Sequence, residues 1–369
     1  MSGATGPSSA NSSRDALRIK RSCSKFLSHH QPWSGAAWLS TLSAGNFDVD
    51  FYGEGEALTA FEAEIASCLG KPAAVFFPTG VMAQLAALRV VADRSGVNSV
   101  AMHPRCHIAA EEDGAFELLH GLSATALTVE ARQPTLADFH ALKQPVGSLV
   151  IELPLRRVAF ALPSWDGLRA LTNAARESGV WIHLDGARLW ECTPFYRRSA
   201  AQIAALADSV YVSLYKGLGG IAGAMLVGSE AFIREARMWR LRQGGVLRSV
   251  FPLVEAGRGG LEKHLPRMTT YVENAAAVAS ALREIPGVDT APITPAINAF
   301  QVHFPFPRLR LEKAHLSFAA ACGAWLFDSF RDSDAGRSHA DVTIGDAVEH
   351  WGLARAVGAV SAFLANVNS

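Results

Sequence analysis

The chain has 369 residues, with 34 Lys+Arg balancing 34 Asp+Glu. That length can bury a large core, and the balanced charge leaves no broad field to draw the protein to nucleic acid. Five cysteines, at 23, 68, 106, 192 and 322, form no CxxC and no Cys/His metal spacing, so they read as reduced, mostly buried thiols of a cytoplasmic protein. No run of about 18 apolar residues is present to span a membrane. Met1 to Ser13 is Ser/Gly/Asn-rich without the apolar centre of a secretion signal, which predicts a disordered tail.

Beyond the tail the pattern alternates. Ala57 to Leu69 places Leu58, Phe61, Ile65 and Leu69 on one helical face, with Gly70 as its stop. Ala73 to Phe77 reads as a short buried strand, Pro78-Thr79-Gly80 as a turn, and Met82 to Val91 as a helix. Further strands are expected at Ser99 to Met102, Ser148 to Leu153, Val180 to Asp185, Ser209 to Leu214 and Gly223 to Val227, mostly separated by helical segments such as Asp166 to Ser178. This is the βαβ rhythm of a largely parallel sheet with helices on both faces, a three-layer α/β architecture. After Pro266 the pattern changes to a long Ala-rich helix (Thr269 to Glu284), a strand (Ala299 to Phe304) and a helical finish (Val342 to Leu364). The expected division is an N-terminal tail and arm over 1–45, a large domain over 46–265 and a small C-terminal α/β domain over 266–369, linked near Arg258-Gly259-Gly260. No internal repeat is found.

Two strand ends carry the chemistry. Lys216 follows a strand-like run in Ser213-Leu214-Tyr215-Lys216-Gly217-Leu218-Gly219-Gly220, and Asp185 closes an earlier one in Trp181-Ile182-His183-Leu184-Asp185-Gly186-Ala187-Arg188. An amine and a carboxylate delivered to one crevice match the needs of pyridoxal phosphate (PLP): an amine for a Schiff base and a carboxylate to keep the ring nitrogen protonated. A surface lysine beside a Gly-rich turn is the plainer alternative. Against it, Val210 to Tyr215 reads as buried, the chain has only seven lysines, and desolvation favours the neutral amine that attacks an aldehyde. Asp185 could instead cap the turn after its strand.

The turn Pro78-Thr79-Gly80-Val81 leads straight into a helix, so its free amides and the helix dipole suit a phosphate; Thr79 as an N-cap is compatible with that task. Gly217-Leu218-Gly219-Gly220-Ile221-Ala222 also matches the dinucleotide pattern GxGxxA, but that loop must open a helix and Ile221 to Val227 reads as a strand. No GxSxG, HExxH or P-loop is present to support a hydrolase, metalloprotease or NTPase.

Tyr52-Gly53-Glu54, Phe77-Pro78-Thr79-Gly80, His107-Ile108, the Asp185 and Lys216 motifs, and Gly244-Gly245-Val246-Leu247-Arg248 occur in one order. In this the chain resembles the threonine aldolase and β-eliminating lyase family, well over roughly residues 50 to 260 and weakly beyond. The resemblance implies the aminotransferase-like PLP fold (fold type I) and a homodimer or homotetramer with its site at a subunit interface. It also implies retro-aldol cleavage of a threonine-like L-β-hydroxy-α-amino acid to glycine and an aldehyde. By resemblance Lys216 holds PLP, Asp185 pairs with the ring nitrogen, and His107 lies flat on the ring and transfers a proton. Arg188 would contact the substrate carboxylate or the cofactor, and Arg248 would supplement phosphate binding by Thr79, Gly80 and Val81. The plainer alternatives are an ion pair for Arg188, a solvated loop cation for Arg248, and a structural histidine at 107, with His103 and His120 nearby.

Three departures from the family pattern matter. Val81 stands where relatives often carry a second hydroxyl. Leu153 to Phe160 lacks the histidine that in many aldolases follows the strand glutamate, here Glu152. Arg337, expected to bind the substrate carboxylate, is two residues off the usual register before His339-Ala340-Asp341-Val342. His107 is therefore the candidate base for the β-hydroxyl proton. β-Elimination, racemisation or amino transfer on the same scaffold, or a non-catalytic binding protein, are the alternatives.

Overall fold

A computed structural model describes residues 7–43, 45, 47–333 and 336–368. The chain divides into two compact units, one over Ser34–Thr269 and the other joining the residues up to Trp33 with those from Thr270 onward.

The larger unit is built on a seven-stranded sheet. Its strands in chain order are β1 (Ala73–Phe77), β2 (Ser99–Met102), β3 (Ser123–Ala126), β4 (Ser148–Glu152), β5 (Trp181–Asp185), β6 (Ser209–Ser213) and β7 (Ala224–Gly228). Across the sheet the order is β1-β7-β6-β5-β4-β2-β3. The pairings from β3 through β6 are parallel, whereas β7 runs antiparallel to both β6 and β1. Every residue of β4, β6 and β7 is buried, which is why these strands read as unbroken apolar runs rather than as alternating ones. The edge strand β3, Ser-Ala-Thr-Ala, is mostly exposed and offers no apolar run, so nothing in the sequence announced it.

Helices close the unit. Helix Gly80–Ser95 begins at Thr79, whose hydroxyl accepts from the Met82 amide at 3.2 Å, and ends at Gly96 with φ 70°, the left-handed conformation glycine tolerates. Its Ala83, Ala86, Ala87 and Val90 form one apolar cluster with Val75, Tyr211 and Leu226 of the sheet and with Phe232 and Ile233 of helix Glu230–Arg242. Helix Trp165–Glu177 buries Leu168, Leu171, Thr172 and Ala175, the one-sided stripe of a helix lying on a core.

In the smaller unit, Asp289–Ala291, Ala299–Phe304, Arg331–Asp332 and Ser338–Thr343 form a four-stranded antiparallel sheet. The helical finish expected over Val342 to Leu364 is corrected. Val342 and Thr343 belong to the strand, paired with Phe300 and Ala299, and helices follow only at Ala347–Trp351 and Leu353–Asn368. Burial alternates along Ser338 to Asp341, a period-2 pattern that favours a strand. Gly352, with φ 91°, separates the two helices. At the other terminus, the expected disordered tail lies outside the described residues up to position 6; from Pro7 the chain is a helix, Pro7–Ser22. Proline suits a first helical position, and Asp15 to Arg21 is rich in good helix formers. Among the described residues, no helix is long and apolar enough to cross a membrane.

Candidate active site

The carboxyl ends of β5 and β6 and the turn after β1 open onto one cavity of about 180 Å³. Its lining includes Thr79, Gly80, Val81, His107, Asp185 and Lys216, with Gln84, Tyr211 and Tyr215. Parallel pairing sets the register that brings the chemistry together: Glu152 of β4 stands beside Asp185 of β5, and Asp185 beside Tyr211 of β6.

Asp185 is buried, and both its oxygens are engaged. Oδ2 accepts from Gln84 Nε2 at 3.1 Å, and Oδ1 accepts from the Ala187 amide at 3.1 Å. Lys216 leaves β6 through a turn in which the Ser213 hydroxyl accepts from the amides of Tyr215 and Lys216, each at 3.3 Å. Burial lowers the Lys216 pKa, and the Arg188 charge lowers it further; both disfavour the ammonium form. Gly217 follows because there is no room for more. A Cβ there would stand 2.5 Å from Glu191 Oε1.

His107 begins a short helix, His107–Ala110. Its backbone amide donates to Glu152 Oε2 at 2.8 Å, and its Nδ1 lies 3.0 Å from Glu112 Oε1. That hydrogen bond with Glu112 outweighs desolvation and raises the His107 pKa. Burial and the neighbouring Asp185 raise the pKa of Glu152.

The turn at Thr79 shows why glycine follows it. A Cβ on Gly80 would meet the Tyr211 hydroxyl at 2.2 Å, so only a bare backbone passes under that ring. Val81 lines the cavity, as its place in the turn requires.

Three expected site residues are not among those lining the cavity. Arg188 is not in the cavity wall; it caps helix Leu189–Tyr196, lies 3.6 Å from Glu191 and faces the Phe160 ring at 5.7 Å. Arg248 is exposed, its guanidinium 5.6 Å from the Phe51 ring and its carbonyl accepting from the Tyr52 amide. Arg337 belongs to the smaller unit, where its carbonyl accepts from the Ser333 amide.

The sequence reading missed Gln84 and Glu112. Gln84 sits one helical turn after Gly80, and that i, i+4 spacing could have placed it on the cavity side. Glu112 has no such signal. It reaches His107 because the short helix His107–Ala110, closed by the Glu111 amide donating to the His107 carbonyl, winds the chain so that residue 112 returns beside residue 107. The GxGxxA pattern proves to be a turn leading directly into β7, with no helix to bind a dinucleotide.

The donor set fits PLP. A desolvated amine, a hydrogen-bonded carboxylate and a glycine-floored turn face one space, and the buried Gln84 Oε1 has no protein partner there. A fold of this order with this site defines the fold type I PLP-dependent enzymes. Residues 35–304 match the β-eliminating lyase family, and the chain belongs to it.

Low-specificity L-threonine aldolase 1 of Arabidopsis thaliana is 29% identical over 264 residues, covering 68% of this chain and 73% of that protein. A crystal structure from Listeria monocytogenes, provisionally assigned as an L-allo-threonine aldolase, superposes with TM-score 0.88 at 34% identity, covering 95% of this chain and 99% of that one. Another, from Exiguobacterium sp. 255-15 and provisionally assigned as an aromatic amino acid β-eliminating lyase/threonine aldolase, gives TM-score 0.86 at 34% identity, covering 94% and 99%.

Proposed function

We propose that this protein cleaves a threonine-like L-β-hydroxy-α-amino acid to glycine and an aldehyde, with PLP as its cofactor. The observation that carries the reading is the shared cavity of Lys216, Asp185 and His107 beside the Thr79-Gly80 turn. When bound, PLP supplies an aldehyde for amines and an electron sink for the bond broken at Cα. Lys216 would hold it, the ammonium form of its amine disfavoured by burial. Asp185, oriented by Gln84 and the Ala187 amide, would keep the ring nitrogen protonated. Thr79, Gly80 and Val81 would hold the phosphate at the start of helix Gly80–Ser95.

His107 accepts the β-hydroxyl proton. As it does so the Cα–Cβ bond opens, the aldehyde leaves, and a proton returned to Cα gives glycine. Arg188 and Arg337 are the candidates for the substrate carboxylate, since a guanidinium binds it with two parallel hydrogen bonds. Arg248 supplements the phosphate contacts in an assembled homodimer or homotetramer. Support for such an assembly is the exposure of Phe51, Tyr52 and Leu247 around it. A cytoplasmic location is consistent with the five free cysteines.

The test is product analysis. Purified holoenzyme incubated with β-hydroxy and β-substituted amino acids should release glycine and the matching aldehyde. Ammonia with a keto acid would establish the second reading, a β-eliminating lyase, which the absence of a histidine in Leu153 to Phe160 favours. No glycine from any β-hydroxy substrate would end the aldolase assignment.

A further inference from the structure

Glu112 is an unusual residue to bury. Its side chain is fully withdrawn from solvent, its Oε1 contacts His107 Nδ1 at 3.0 Å, and its Oε2 is buried with no partner. A carboxyl group in that state costs stability rather than adding to it, because one hydrogen bond does not replace a hydration shell. The chain is shaped to put it there. The short helix His107–Ala110 closes with the Glu111 amide donating to the His107 carbonyl at 2.9 Å, which carries the next residue, Glu112, back beside the His107 ring.

The consequence falls on the imidazole. An ionised carboxylate only accepts hydrogen bonds, so a ring nitrogen facing it carries the proton. With the proton on Nδ1, the neutral ring has its lone pair on Nε2, for which the structure gives no protein partner. His107 lines the cavity, and the Glu152 carboxylate holds its backbone amide from below at 2.8 Å. A carboxylate that sets the tautomer of a catalytic histidine is the logic of a hydrolase triad, here without the nucleophile. It also answers the missing second histidine of Leu153 to Phe160: one histidine suffices as the base if its tautomer is fixed.

We propose that Glu112 is the positioning residue that makes His107 the base for the substrate's β-hydroxyl proton, an inference that rests on the aldolase reading above. The other charged groups acting with His107 are Asp185, Glu152 and Lys216; Asp185 and Lys216 line the cavity, Glu152 holds the His107 backbone amide, and Glu112 alone faces the ring nitrogen from outside the cavity wall. Glu112 raises the His107 pKa. Cleavage should therefore climb with pH along a limb set by His107, and removing the carboxylate should move that limb to lower pH.

The experiment compares wild-type holoenzyme with Glu112→Gln and Glu112→Asp. Four quantities are read: glycine release across pH, exchange of the glycine α-proton in deuterium oxide, PLP content and melting temperature. Exchange needs the loaded enzyme but no base at a β-hydroxyl. Glu112→Gln should lower kcat for cleavage about tenfold to a hundredfold and move the acid limb down, while α-proton exchange and PLP content stay at wild-type levels and melting is unchanged or higher. Glu112→Asp should recover part of the loss.

Unchanged cleavage with an unchanged limb in Glu112→Gln overturns the proposal. So does an equal loss of cleavage and exchange, which would make Glu112 a general support of the site. Should Glu112→Gln fail to fold or to bind PLP, nitrogen-15 NMR of the wild-type imidazole decides: a neutral His107 protonated at Nε2 sinks the inference. Wild-type enzyme that exchanges the α-proton yet cleaves no β-hydroxy amino acid would refute the aldolase reading instead, and the NMR tautomer would still judge Glu112.

Discussion

His107 and His315, one in each unit, are one partly and one almost fully buried, and their surroundings treat them in opposite ways. His315 is almost fully buried among the rings of Trp325, Phe327, Phe330 and Phe363. Its Nε2 accepts from the Leu326 and Phe327 amides at 3.1 and 3.2 Å, and burial holds its pKa down to about 4. It is a neutral acceptor that ties a loop to an apolar core. His107 keeps partial exposure, gains a carboxylate and is shifted upward. Burial alone therefore does not mark a working histidine; a buried acid spent on it does.

The contrast can be broken by substitution. The largest effect belongs to Lys216→Ala, which should abolish visible cofactor absorbance and lower turnover by about four orders of magnitude or more; borohydride reduction of wild-type holoenzyme should fix the cofactor to the peptide containing Lys216, and labelling of another lysine would refute its role. His107→Phe keeps a stacking ring but no proton acceptor, so it should retain PLP and lose about three orders of magnitude in glycine release. Asp185→Ala should fold and hold some PLP while kcat falls by about two to three orders of magnitude, and near-normal turnover would count against its pairing with the ring. Gly80→Ala forces a Cβ toward the Tyr211 hydroxyl and should weaken PLP binding about tenfold, a strain of about 1–3 kcal/mol, as judged by cofactor titration of the apoenzyme.

His315→Gln should leave kcat alone and change only stability. In the folded state His315 stays neutral down to about 4, against 6.5 for the free group. It therefore contributes fully above 6.5, and its contribution fades as pH falls from there towards 4, about 3 kcal/mol in all. Melting curves of the variant should be lower at neutral pH and flatter in acid. They should not be flat, because His183 is also held at about 4 and remains.

Much of this was legible in the chain. The buried strands announced themselves as apolar runs, and Asp185 and Lys216 stood at their ends because parallel strands deliver their termini to one edge. Less legible was whatever depends on chain reversal or on packing between layers. Glu112 meets His107 only once the short helix His107–Ala110 winds the chain back, and Gln84 meets Asp185 only when a helix lies on the sheet. Val342 and Thr343 read as the start of the final helix because they adjoin a long apolar stretch, and pairing with Phe300 and Ala299 decides for the strand.

The reversal of β7 has a consequence for how the molecule comes into being. Val210 pairs with Val227 and Ser213 with Ala224 in a local hairpin, whereas Ala73 must find Gly228 across most of the larger unit's sequence. Local pairing closes a short loop and is kinetically cheap; distant pairing is slow. The lysine's hairpin should therefore gain amide protection early during refolding, and the strand before the phosphate turn late, an order that pulsed hydrogen exchange would reveal or reverse. A nascent chain would then present its amine before it could grip a phosphate, which makes capture of the cofactor a late event in maturation.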